Sequence, residues 1–432
     1  MDGSLTIFCT SRGNRPINIS NTELYLIYSI IFIVTNIVIL KIVKKTTSKV
    51  SLNKYLLFSV CAIQLLGSAI LLTIYVQITF YSYYYNNYVI LIVFASLLSS
   101  IGFLSILTIK LFGWFSRVRD RLILIYGITM LLFILNTVIG LMYLTQILST
   151  HPEVIKAASC RAIYGSFYSI NPTLSINLSK TYDFTSIVCF ILAWSATTIM
   201  LRQYSLKVGK IRYWFLVSIP LVFFMSKYEI LFYYFLSNPA LLDIFSINSY
   251  SSSNVLLSII LRSNLQFGGV FFAIVFLVIA TKIPKGHQIV NSLLISLMGM
   301  MFIFGSKDIS ALTLATLPPV GIVSISFMGI ASYLLLVGMY SISKISSRDT
   351  NLRKYISQKV EKDTALLMNI GLSEKESEIE KNIKPLMDYS VKWQEEHKEH
   401  DISQHEIKSI VSDMVSQIRE NIKKEEKKRK NV

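Results

Sequence analysis

The chain has 432 residues, 53% of them hydrophobic and 12% aromatic, with only 16% charged and a mean hydropathy of +0.54. Such long apolar runs with so little charge exclude an ordinary soluble domain, and their continuity, without polar alternation, excludes a β-barrel. The formal charge of +17 resides in the apolar part: residues 1–343 hold 23 Lys/Arg against 8 Asp/Glu, whereas 344–432 hold 19 against 17. That distribution is a membrane-topology signal and argues against nucleic-acid binding.

The fold class expected is all-α, a polytopic transmembrane helix bundle of about nine spans with a small cytoplasmic helical tail. An outer N-terminal segment, 1–23, shows no cleavable signal peptide. Within a transmembrane domain of 24–343, spans are predicted at 24–43, 55–80, 88–112, 122–147, 184–201, 213–236, 255–281, 288–306 and 319–341. Their lengths suit a ~30 Å hydrocarbon core. One alternating set of connections carries 14 basic residues, among them Lys41, Arg117, Arg212 and Lys285, and the other set with the N-terminus carries 6. The bias places the N-terminus outside and the tail in the cytoplasm.

The outer segments are distinct in kind. The stretch 81–88, YSYYYNNY, is an aromatic cluster suited to headgroup level, and 148–183 is the longest outer loop. The sequons at Asn18 and Asn177 fall outside, and 307–319, KDISALTLATLPP, reads as a short re-entrant or interfacial piece. Cys9 and Cys160 also fall outside; they either form a disulfide or remain two free thiols. Cys61 and Cys189 lie within spans as packing residues.

The sixth span contains FFMSKYEILFYYF, residues 223–235, where Lys227 and Glu229 interrupt an apolar run. Glu229 lies 16 residues past Tyr213 and Arg262 lies 19 before Thr281, so both sit at similar depth in the outer third of the membrane. An ionised group there normally faces protein or water and finds a partner. Glu229 is expected to pair with Arg262, while Lys227 points about 200° away and needs Asp183 or Asp308. Gln266 adds a polar group on the Arg262 face, and Gly268, Gly269 and Pro220 allow close approach or bends. Three readings stand side by side: snorkelling to the surface, an outward-facing ligand or ion pocket, and a buried structural pair.

In the ninth span Gly321, Ser324, Ala331 and Gly338 lie close to one face, for intramolecular packing ahead of an oligomer interface. The tail, 344–432, is of mixed charge. Its first segment is expected to continue the span as a helix until Gly371, with Ser373-Glu374-Lys375-Glu376 and Ser403-Gln404-His405-Glu406 as capping boxes that open two further helices. Ile407, Val411, Met414, Ile418 and Ile422 form a narrow apolar stripe for a helical hairpin, a coiled coil or a cytoplasmic partner. The end, KKEEKKRKNV, is read as a solvated terminus ahead of an anionic-lipid contact.

Catalytic patterns such as HExxH and GxSxG are missing, and His397, His400 and His405 read as a solvated linker before a metal site. No enzyme, cofactor or metal is expected. The stretch PPVGIVSISFMGIASYLLLVGMYSISKISSRDTNLRKYI, residues 318–356, resembles a signature of uncharacterised multi-span membrane proteins of archaea that end in a short charged helical tail. The resemblance implies the topology and a cell membrane, and no activity. The expectation is a receptor-like or scaffold protein of the cell membrane, with the lipid bilayer and a cytoplasmic partner or a second copy as its contacts. A secondary transporter or channel using Lys227, Glu229 and Arg262 is the alternative.

Overall fold

A computed structural model describes residues 19–47, 54–81, 83–149, 154–156, 172–202, 209–226, 264–284, 287–306, 320–349, 367, 369–379 and 381. In chain order these form α1 (Ile19–Thr47), α2 (Lys54–Tyr81), β1 (Tyr83–Tyr85), α3 (Asn86–Val118), α4 (Arg121–Ser149), β2 (Val154–Lys156), α5 (Pro172–Leu201), α6 (Lys210–Ser226), α7 (Asn264–Lys282), α8 (Gln288–Ser306) and α9 (Val320–Arg348), followed by helical residues 369–379. Seven of the described helices are long and apolar enough to cross a membrane: α1 to α5, α8 and α9. The sixth and seventh predicted spans correspond to α6 and α7. Both run up to 227–263, which lies outside the described residues, and the described apolar part of α7, Gly268–Lys282, is short for a span. The stretch 307–319 is also outside them.

Helix α9 is the centre of the bundle. Of its spanning residues 89% are buried, against 29% for α1. It packs most extensively on α8, then on α3, α1 and α2. Apolar side chains gain little by leaving lipid for protein, so close helix contact depends on small residues and hydrogen bonds. A Cβ on Gly299 of α8 would meet the Leu335 nitrogen at 2.5 Å, and one on Gly338 of α9 would meet the Ser296 nitrogen at 2.7 Å. Ala331 and Gly338 thus seat α9 on α8, as intramolecular packing requires. Gly321 and Ser324 fall at the start of α9, where the side-chain surroundings are outside the described part.

The α3–α9 contact is polar. Ser96 Oγ donates to the Ile325 carbonyl at 2.6 Å and accepts the Gly329 N–H at 3.2 Å, and the Ser100 and Ser332 hydroxyls bond at 2.6 Å. On the other side of the bundle, Asn136 of α4 donates to the Tyr182 carbonyl of α5 at 2.8 Å, and Trp194 of α5 donates to Val217 of α6 at 2.8 Å. Rings from five helices then meet in one group: Phe133, Phe190, Phe224, Phe272 and Phe304, with Phe190 and Phe224 stacked at 3.8 Å. Gly268 leaves room for the Phe190 ring, and Gly269 lies against the Met301 carbonyl, so the expected close approach at this pair is realised. The outward surface is apolar, for example Ile27, Ile30, Val34 and Ile37 on α1.

Three local expectations are corrected. The aromatic stretch at 81–88 is not simply a loop: Tyr83–Tyr85 pair antiparallel with Val154–Lys156, a non-local ladder that propensity alone does not reveal. Helix α5 begins at Pro172, twelve residues before its predicted span; proline suits the first helical position, and helical bonding continues beyond the apolar window. The helix at 369–379 runs unbroken through Gly371 and Ser373, so neither a stop at Gly371 nor a capping box at Ser373 is present. Tertiary contacts with Ser346 and Trp114 take these two residues instead.

Candidate functional site: a docked tail helix

Residues 369–379 lie on the end of the bundle that carries the α3–α4 turn, with Leu367 and Ile370 buried. This end is basic, with Arg117, Arg119 and Arg121 in or beside the turn. Arg119 ends α3 in the left-handed region at φ 53°, and its N–H donates to the Phe115 carbonyl at 2.7 Å. Asp120 then caps α4: one carboxylate oxygen accepts the Leu122 N–H at 2.8 Å. Its other oxygen accepts from the Asn369 side-chain amide at 2.6 Å, so a single aspartate opens α4 and holds the tail.

The centre of the contact is Trp114, only 1% exposed. Its indole Nε1 donates to Glu374 Oε2 at 3.0 Å, and its carbonyl accepts from Ser373 Oγ at 3.3 Å. Glu374 is 5% exposed, so its carboxylate is almost fully removed from solvent and the indole supplies a donor to it. Gly371 brings the tail backbone onto α9: a Cβ there would lie 2.6 Å from Ser346 Cβ. At the rim, Lys344 pairs with Glu378, and Arg348 approaches the same carboxylate at 4.0 Å. Beside it, His287 Nδ1 accepts the Ile289 N–H at 3.3 Å and caps α8, which leaves Nε2 to face Asp349 at 3.1 Å. The arrangement fixes the start of the tail to α3, α4 and α9 together.

The predicted outer cluster is described in part only. Lys227, Glu229, Arg262 and Asp308 lie outside the described residues, and Gln266 falls within α7 with its side chain outside the description. Asp183 is half-buried on α5, next to Tyr182, whose carbonyl receives Asn136. Cys9, Cys160, the histidines at 397, 400 and 405, and the stripe from Ile407 to Ile422 are likewise outside the described residues. Cys61 is half-buried and Cys189 buried, neither in a disulfide, and Cys189 donates to the Thr129 carbonyl at 3.6 Å. Among the described residues no cluster of three His, Cys, Asp or Glu could hold a metal.

Sequence reasoning missed Trp114, Asp120, Asn369 and Glu374. One signal was available: Leu367, Ile370, Gly371, Glu374 and Glu378 recur at helical spacing, an apolar-small-acidic stripe suited to a basic surface.

The seven long apolar helices and the contacts among them define a polytopic helical membrane protein. No protein-family model matches the chain, and no curated protein or solved structure matches it.

Proposed function

We propose that the chain is a receptor-like or scaffold protein of the cell membrane, with nine spans, an outer N-terminus and a cytoplasmic tail that presents a partner-binding helix. The supporting observation is the Trp114–Glu374 bond within the docked helix 369–379. Residues 369–379 are held by α3, α4 and α9, which gives the tail a defined attachment to the bundle ahead of the proposed partner-binding stripe that includes Ile407, Val411 and Met414. Lys227, Glu229 and Arg262, with Asp183, Gln266 and Asp308, are the proposed outer polar cluster. The bias of 14 Lys/Arg in one set of connections against 6 in the other supports the orientation.

The test is thiol accessibility of Glu229→Cys with the four native cysteines replaced. An impermeant charged reagent is applied to each membrane face separately. Labelling from outside alone supports the receptor or scaffold reading. Labelling from both faces moves the assignment to a transporter using Lys227, Glu229 and Arg262, and protection from both leaves a buried structural pair and removes the outer pocket.

A further inference from the structure

A second polar region lies inside the bundle, where α1, α2, α3 and α9 meet. Along α1 the buried positions are Tyr25, Ser29, Phe32, Asn36, Ile39 and Val43, a stripe at heptad spacing. Two of them are out of place in such a stripe. Asn36 is 3% exposed and Ser29 is fully buried, yet neither end of the Asn36 amide nor the Ser29 hydroxyl meets a hydrogen-bond partner among the described residues. A polar group shielded from both water and protein partners is costly, most of all between membrane helices.

Helix register sets the groups that face them. Tyr25 OH donates to the Leu71 carbonyl, and Phe32, seven residues on, shares a crevice with Gln64, seven residues before Leu71. The two helices therefore run antiparallel, and Asn36 comes opposite Val60, beside Cys61. Phe32 packs edge-on against Phe327 of α9 at 4.7 Å, which sets α9 on the same junction. Tyr333 of α9 is fully buried against Phe103, and its hydroxyl also has no hydrogen-bond partner among the described residues. The crevice itself is lined by Gln64, Ser96 and Ser326 with apolar walls and no charged residue. As it stands it has room for about one water molecule.

We propose that this junction binds a small uncharged solute that both donates and accepts hydrogen bonds. The Gln64 amide and the Ser96 and Ser326 hydroxyls line the crevice, and the unpartnered Ser29 hydroxyl and Asn36 amide flank it on α1, about one turn to either side of Phe32, with the Tyr333 hydroxyl about two turns past Ser326 on α9. No charged side chain lines the crevice to balance an ion. Water is the smallest member of the class, and short polyols and amides share its chemistry. The site shares no residue with the proposed outer cluster or the docked tail, and stands whether or not either of those is functional.

Cys61 is a built-in reporter, because a thiol reacts with methanethiosulfonates as the thiolate and needs a hydrated site. The wild-type protein in proteoliposomes is exposed to neutral 2-hydroxyethyl methanethiosulfonate or to its trimethylammonium analogue, and modification at each cysteine is followed by mass spectrometry. Cys189, buried and bonded to Thr129, is the slow internal reference and reports unfolding if it accelerates. The neutral reagent should modify Cys61 at least tenfold faster than Cys189, with the cationic reagent slow, and Asn36→Leu should cut the Cys61 rate about tenfold. Tyr333→Phe, which keeps the packing against Phe103 at 5.5 Å, should slow it as well and serves if Asn36→Leu fails to fold. The proposal is overturned if Cys61 is as slow as Cys189, if both variants react like wild type, or if the cationic reagent matches the neutral one.

Discussion

Replacing Trp114 by Phe keeps most of the ring volume and removes one donor, the indole N–H that meets Glu374 at 3.0 Å. The carboxylate left behind is 5% exposed, so water replaces the lost donor poorly. Hydrogen bonds to charged groups contribute about 1.5–3 kcal/mol, and a middle value of ~2 kcal/mol corresponds to roughly a thirtyfold change in the docking equilibrium. Because the other attachments, Asn369 to Asp120 and Lys344 to Glu378, are untouched, the loss should appear as local opening and not as unfolding of the bundle. Hydrogen exchange of the amides at 369–379, followed by mass spectrometry in lipid nanodiscs, reads that opening directly. Glu374→Gln retains a carbonyl acceptor for the indole and should cost less. The double variant should open little more than Trp114→Phe alone, the non-additivity expected of a contacting pair. Exchange in Trp114→Phe within about threefold of wild type would refute the reasoning, since docking would then not depend on the buried bond.

Four further outcomes are expected. Raising ionic strength to about 1 M should increase exchange at 369–379 by less than about fivefold, because Lys344–Glu378 is a partly exposed pair worth under ~1 kcal/mol. Asp120→Ala should destabilise by about 1–2 kcal/mol, seen both as faster exchange in the first turn of α4 and as tail opening, since it removes the cap and the Asn369 acceptor together. Gly338→Val should lower thermal stability in detergent by at least ~1–3 kcal/mol, because its Cβ alone would sit 2.7 Å from the Ser296 nitrogen; a neutral effect would disprove the close α8–α9 approach. Asn136→Leu should cost between ~0.6 and ~1.7 kcal/mol by the same assay, the range of interhelical hydrogen bonds in membranes.

Hydropathy found the helices because the requirement to satisfy backbone groups in lipid is local: Gln288–Ser306 coincides with its predicted span, and α2, α3 and α4 differ by a few residues at their ends. It could not find which helix is central. The apolar residues of α9 would suit lipid equally well, and only the buried serines along it, among them Ser326, Ser332 and Ser343, hint that it faces protein. The tail misled for a different reason. Ser373 and Glu376 have the spacing of a capping box, a local motif, but Trp114, about 260 residues earlier, takes Ser373 through its carbonyl and Glu374 through its indole. The pairing of Tyr83–Tyr85 with Val154–Lys156 was hidden by the same kind of distance along the chain. Of the predicted outer cluster, Asp183 is the one residue whose side chain the structure describes.

Helix α9 joins the polar crevice to the docked tail. Ser326 lines the crevice, and Lys344 and Ser346 contact the tail, 18 and 20 residues later, on one uninterrupted helix. Twenty residues span about 30 Å. Its contacts with α3 are hydrogen bonds, Ser96 to Ile325 and Ser100 to Ser332, and those with α8 rest on close approach at Gly299 and Gly338. A solute seated at Ser326 therefore has a direct mechanical route to Glu374 and Glu378. Coupling between the sites requires that the solute prefer one position of α9, and it is reciprocal. The neutral thiol reagent bound at Cys61 should thus change exchange at 369–379, and Trp114→Phe should change the Cys61 rate in turn. No effect in either direction would mean that α9 carries no coupling and merely passes both places.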